Sequence, residues 1–362
     1  MTTQKLVTLT AVAAVLAGLA YYSNTSRKVK TPTHSGKPVL TGFDLSDVSK
    51  IEAGGSGAKK LVLEGSDTGW IIKSLFGYPA DITKIRENLL ALKDLKIGHV
   101  ASGKKLDNAA LVDLQNAAGK SLAALRLGEK HMRQPSGEME QFGGGGYPDG
   151  RYVSAAGADT VFLVKETLDA FDGDPKNWAD TQIVSLPAAD ISSIELAAKG
   201  QTVKLAKKDG NWTLDGLTEK EEFDTSKGYG VESALGPLSF TTVADPALTD
   251  DQLGITTGAV YTVTLKTGER YTAKIGNTFE AGTDRTCKLS GSFSPVGTNA
   301  AENAALAKKI EACNAKAGKW TYVIPSYNAD NMTKSRADLV KPKEEPKKDE
   351  TKEPTGADAI RP

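Results

Sequence analysis

Histidines, cysteines and closely spaced carboxylates supply most acid–base, nucleophilic and metal chemistry, and this chain is sparing with the first two. Its three histidines, His34, His99 and His131, are scattered, and none stands in an H-E-x-x-H or related ligand spacing. The two cysteines, Cys287 and Cys313, are too few for a disulfide scaffold and lack the paired spacing of a zinc site. They either form one bridge in an oxidising compartment or stand as unpaired thiols, and spacing does not choose between these. No G-x-S-x-G elbow marks a nucleophile. Gly143 to Gly146 lack the following lysine and helix of a phosphate loop, so the run reads as a hairpin tip. Carboxylates are plentiful, yet no spacing selects an acid and base pair over a solvated surface. The expectation is a protein with no catalytic residue, no cofactor and no metal, and not an enzyme. What remains is contact chemistry. In Glu129 to Gly150, EKHMRQPSGEMEQFGGGGYPDG, the residues Met132, Met139, Phe142 and Tyr147 punctuate a polar loop and form the first candidate for partner binding. Long loops in compact domains are often contact surfaces, with simple disorder the plainer reading. Asn277 to Ser294 is the second such loop.

The elements that position these residues follow from composition and patterning. A chain of 362 residues with 39% hydrophobic content is long and apolar enough for two packed domains. Forty-five basic residues balance 45 acidic ones, so no overall field gathers nucleic acid, and none is expected as a partner. Leu6 to Tyr22 carries no charge, follows Lys5 and precedes a basic stretch. As a helix it rises about 26 Å, which spans a bilayer marginally with Tyr21 and Tyr22 as interfacial anchors. A cleaved signal peptide competes with a retained anchor, because Gly18 and Ala20 supply small residues. Arg27, Lys28 and Lys30 favour a cytoplasmic body by the positive-inside rule, whereas the short N-terminal flank favours a body outside the cytoplasm, the preferred reading. The expected organisation is an anchor or signal over 1–28, a linker over 29–42, domains over 43–182 and 183–340, and a disordered charged tail over 341–362.

The two domains read as tandem diverged repeats. Asp47-Val48-Ser49-Lys50-Ile51-Glu52 aligns with Asp190-Ile191-Ser192-Ser193-Ile194-Glu195, and each leads to an alternating strand, a charged turn and a second strand that starts at Trp70 or Trp212. Further on, Asp81, Leu92, Leu95 and Val100 align with Asp224, Leu235, Leu238 and Val243. Ile82, Ile85, Leu89 and Leu92 predict an amphipathic helix over 82–92, capped by Asp81, and Gly228 and Gly230 predict a weaker one in the second copy. Hairpins follow, with strands closed by Gly128 and Gly276, then Arg151 to Val153 with Asp159 to Lys165, a short helix over 166–171, and Thr321 to Pro325 in the second copy. The fold class is α+β: two repeats, each a mostly antiparallel sheet with one packed helix, after an N-terminal transmembrane helix. Trp70 and Trp212 are expected in the core, between helix and sheet.

The entry FDLSDVSKIE, the strand GWIIK, the helix ADITKIRENLLALKDLKI, the strand LAALRLG and the later GRYVSAAGADTVFLV together resemble a bacterial family of unknown function, domain family 4340. That resemblance implies an auxiliary component encoded beside ABC transporters of the gliding-motility type, and it carries no active-site residues. The expected function is thus a membrane-anchored extracytoplasmic accessory or scaffold protein that binds ABC transporter subunits or another envelope protein. An extracytoplasmic binding module for a small ligand or cell-envelope polymer is the alternative, with the space between the copies as its site. A hydrolase with an unusual site comes third.

Overall fold

The computed structural model describes residues 34–55, 60–107, 109–134, 146–208 and 210–343. The chain divides into two compact units, Met1–Ala179 and Asp180–Pro362. Hydrogen bonds explain the position of this boundary. Trp178 is fully buried in the first unit, its indole N–H donates to Ala170 O, and its carbonyl accepts from Asp81 N–H. Just beyond, Thr181 O accepts from Phe240 N–H in the second unit.

In the first unit, alternating apolar residues build β1 (Lys50–Gly54), β2 (Leu61–Ser66) and β3 (Gly69–Ile72), burying Ile51, Ala53, Leu61, Leu63 and Ile72 on one face. These are three strands where the sequence predicts two. β4 (Tyr78–Pro79) leads into α1 (Ile82–Lys93), whose Asp81 side chain accepts from Thr83 N–H at 2.8 Å. Ile85, Leu89 and Leu92 are buried as the periodicity predicts, but Ile82, in the first turn, is exposed. Then come β5 (His99–Val100), β6 (Ala110–Gln115), β7 (Ser121–Arg133), β8 (Tyr147–Ala155) and β9 (Phe162–Val164). The nine strands pair antiparallel in the order β4-β3-β2-β1-β6-β7-β8-β9-β5.

The second unit begins with β10 (Gln182–Val184), β11 (Ile191–Ala198), β12 (Gln201–Lys208) and β13 (Asn211–Leu214). β14 (Glu221–Phe223) precedes α2 (Thr225–Glu232), and β15 (Leu238–Ser239) and β16 (Thr242–Val243) follow it. β17 (Ala259–Leu265), β18 (Glu269–Thr278) and β19 (Arg285–Phe293) form the long meander. α3 (Ala300–Ala317), β20 (Tyr322–Ile324), α4 (Ser326–Met332) and β21 (Val340–Pro342) complete it. The main sheet runs β13-β12-β11-β17-β18-β19-β20-β16, the same path as β3-β2-β1-β6-β7-β8-β9-β5 in the first unit. The chain is thus α+β, mostly antiparallel sheet, with four α-helices among the described residues.

Several expectations are corrected. The helix predicted over 166–171 is a single 3-10 turn, Asp169–Phe171, because Leu168 turns left-handed at φ 54° and breaks the helical path. Linker residues join the fold early: Val39 N–H donates to Leu95 O, Pro38 bridges Lys96, and Leu40 is buried. At the far end Lys341 and Pro342 pair with Glu222 and Glu221, so the first tail residues are strand. Asn277 to Ser294 is no loop, since Asn277 and Thr278 end β18 and Arg285–Phe293 is β19. Leu6 to Tyr22 lies outside the described residues, and among the described residues no helix is long and apolar enough to cross a membrane.

Candidate functional site

In the first unit the partner-binding candidates sit on a projection. β6 pairs with β7 only as far as Leu127, and β9 pairs with β8 only from Arg151. Residues 131–133 and 147–150 therefore pair with each other alone, as a two-stranded ribbon. Met132 is 49% exposed and Tyr147 47%. Met132 stands opposite Pro148 and Tyr147 opposite Arg133, so the alternation of the pleat puts the two apolar side chains on opposite faces of the ribbon. Met139 and Phe142 lie outside the described residues. Between the exposed pair, His131 Nδ1 lies 2.6 Å from Asp149, and Arg133 lies 3.8 Å from the same carboxylate.

The ribbon is rooted in a charged cluster. A bulge shifts the register between Leu127 and Lys130, and at it the Arg151 Nε–H donates to Gly128 O at 2.9 Å. Arg151 is buried, its Nη1 lies 2.5 Å from an Asp172 carboxylate oxygen, and it also donates to Thr167 O. Lys130 reaches Asp169 at 2.6 Å and Asp172 at 2.9 Å. The hydrogen bond from Lys130 and that from Thr167 hold Asp169 below the usual carboxylate range. A buried arginine, a half-buried lysine and two partly exposed aspartates here neutralise one another and tie the ribbon to the segment after β9.

The second unit places an arginine at the corresponding bulge without the ion pairs of the first. Its bulge falls between Ile275 and Thr278, and Arg285 donates through Nε at 2.9 Å and Nη2 at 2.6 Å to Gly276 O. Arg285 pairs with Ile324 across β20 as Arg151 pairs with Val164 across β9. Both glycines are demanded by close approach: a Cβ on Gly128 would sit 2.4 Å from the Leu106 side chain, and one on Gly276 would sit 2.2 Å from Leu253 O. No carboxylate among the described residues forms an ion pair with Arg285, which instead lines a cleft of about 440 Å³. Sequence reasoning missed both arginines. Extending the aligned glycines into the next strand, GRYV against DRTC, would have paired them.

The remaining candidates are structural. Trp70 and Trp212 occupy equivalent rungs opposite Gly65 and Lys207, on the face shared with buried Leu63 and Leu205, but near the sheet edge. Both are half-buried, not plugs between helix and sheet, because β3 and β13 lie next to or at a sheet edge, where less of the fold surrounds a large ring. The tryptophan that does fill a core is Trp178, in edge contact with Phe171 at 5.2 Å. Cys287 and Cys313 are free thiols, so the bridge is not formed. Cys287 faces the sheet core, while α3 meets β19 at Gly291 through Ile310 and Asn314. Four strand residues, roughly 13 Å, separate these places, beyond the reach of a disulfide. Burial pushes the Cys287 thiol up to about 12, which removes thiolate reactivity. Among the described residues no group of three or more His, Cys, Asp or Glu side chains could hold a metal ion.

The profile of one family, described as a domain of unknown function (DUF4340), matches residues 70–254, from the Trp70 strand of the first unit into the second. No curated protein and no solved structure matches the chain. With more than half of its length matched, the chain belongs to the DUF4340 family.

Proposed function

We propose that this chain is a membrane-anchored, extracytoplasmic and non-catalytic accessory protein that works by binding another envelope protein, with an ABC-type transporter subunit as the partner its family resemblance points to. It is built as two diverged copies of one α+β unit behind an apolar N-terminal anchor. The common strand order, the common bulge and the paired arginines Arg151 and Arg285 support the duplication. The uncharged run Leu6 to Tyr22 supports the anchor.

One observation carries the binding reading: the β7–β8 ribbon projects past its neighbours and offers Met132 and Tyr147 to solvent. A ribbon of this kind has unpaired outer edges and exposed apolar side chains at once, the two features that strand-edge and hot-spot recognition use. Affinity purification of the tagged full chain from detergent-solubilised membranes should recover a transporter subunit. The variants Met132→Asp and Tyr147→Asp should lose it while remaining folded, because both side chains are exposed. Recovery of no membrane or envelope protein, or unchanged recovery by both variants, sinks the reading.

A further inference from the structure

We propose that the cleft around Arg285 in the second unit is a binding site for a small carboxylate ligand. The first unit shows what such an arginine binds. There Nε of Arg151 is held by Gly128 O while Nη1 meets the Asp172 carboxylate at 2.5 Å, and the chain supplies both the clamp and its anion. In the second unit the clamp is intact, with Nε and Nη2 of Arg285 on Gly276 O, but among the described residues no carboxylate forms an ion pair with it. After β20 the chain runs into α4, where the first unit has the turn that brings Asp172 back. Asp330 of α4 lines an adjoining hollow and forms no ion pair with Arg285. Asp284, the neighbour in sequence, is engaged elsewhere, accepting from the Thr241 hydroxyl at 2.8 Å and from Ser326 N–H at 3.2 Å.

The surroundings suit an anion that carries further polar groups. Lys199 and Lys334 line the same cleft as Arg285, and the one carboxylate in its lining, Asp338, accepts through one oxygen from the Ser335 N–H at 2.8 Å and hydroxyl at 2.7 Å. Positive charge therefore exceeds negative at the site although the chain as a whole is neutral. Lys199 sits in a tight turn at φ 50°, a conformation that a non-glycine residue adopts at a cost, and the turn holds its backbone at the rim. Gln201, Thr257 and Asn277 add amide and hydroxyl groups. A volume of about 440 Å³ falls in the range of small-molecule sites. A guanidinium held on one edge presents its other edge in a fixed plane, which matches the planar two-oxygen geometry of a carboxylate.

The proposal stands independently of the protein-partner reading. Isothermal titration of the detergent-solubilised full chain with glutamate and with succinate, and separately with inorganic phosphate, tests it. Saturable binding of at least one carboxylate is expected, weakened at least about tenfold by Arg285→Gln and also by Arg285→Lys, which keeps the charge but loses the fork. Should Arg285→Gln fail to fold, Lys199→Glu on the exposed turn serves instead, with a several-fold loss expected. Three results overturn the proposal: no saturable binding of either carboxylate at millimolar concentration, undiminished binding by these variants, or tighter binding of phosphate than of both carboxylates.

Discussion

Asp172 is the one residue that turns the joint of the first unit from an open cation into a closed pair. Its carboxylate meets Arg151, whose side chain is 8% exposed, and also Lys130 at 2.9 Å. Removing the charge leaves a buried guanidinium with carbonyl partners only, and breaking a buried pair this way costs more than the pair contributes. Asp172 is itself 35% exposed, so water replaces part of the loss. Asp172→Asn is expected to destabilise the chain by about 2 kcal/mol in a denaturant titration. An unchanged midpoint would show that the backbone carbonyls of Gly128 and Thr167 are sufficient. Arg285 already lives without such a partner, and its half-open position beside a cleft is what allows it to do so.

At the scale of elements, two contacts decide how helices sit on the second sheet. α2 contains Gly228 and Gly230, which weaken it as an isolated helix by about 1 kcal/mol each. Helix propensity alone therefore says that Gly228→Ala stabilises. Packing says the opposite, because a Cβ at Gly228 would stand 2.3 Å from the Phe223 ring, and overpacking costs about 1–3 kcal/mol. The packing term is the larger, so Gly228→Ala is expected to lower the thermal midpoint, and a raised one would show that Phe223 swings aside freely. α3 docks differently. Asn314 of α3 accepts from Gly291 N–H at 2.7 Å and donates to Gly291 O at 2.9 Å, so a side-chain amide stands in for the next strand along β19. Glu269, 1% exposed, adds an ion pair to Lys309 of the same helix at 2.7 Å. Burial works to raise Glu269, but the hydrogen bonds from Lys309 and Thr267 outweigh it and hold the carboxyl below its ordinary 4.5. A lowered carboxylate contributes its stability fully above that ordinary value and loses it as pH falls through the lower folded value. Lys309→Met should leave Glu269 with only the Thr267 hydroxyl to oppose burial, so the acid loss of stability moves to higher pH. With Lys309 57% exposed, the neutral-pH cost should be only about 1 kcal/mol. Urea midpoints followed against pH for both proteins measure this, and superimposable profiles would remove the pair from any role in docking α3.

Over the whole molecule, one strand order appears twice and is used for two different ends. The first unit seals its arginine joint with Asp172 and Lys130 and extends the adjoining hairpin into a ribbon. The second keeps its hairpin short, inserts α3 after it, and leaves its arginine facing a cleft. A shared strand order allows this because the buried alternation that specifies the sheet leaves hairpin length and the segment after the last strand free to change. Balanced charge across 45 basic and 45 acidic residues agrees with recognition by local surfaces rather than by a global field.

Much of the fold was legible in the residues themselves. Alternation marked strands ahead of each tryptophan strand, though one fewer than form, and the spacing of Ile85, Leu89 and Leu92 with Asp81 before them marked α1, while Gly128 and Gly276, expected to close their strands, stand instead at equivalent bulges inside β7 and β18. α3 carries a readable local signal, an Asn299 cap before an alanine-rich run. These features are local, and period and capping are properties of neighbouring residues. What only the tertiary structure decided is non-local: that Trp178 rather than Trp70 fills a core, that Cys287 and Cys313 stay apart, and that Arg151 meets Asp172 while Arg285 meets a cleft. Each depends on which segment crosses which strand, and a charged side chain in sequence looks the same whether its partner arrives from the chain or must come from outside.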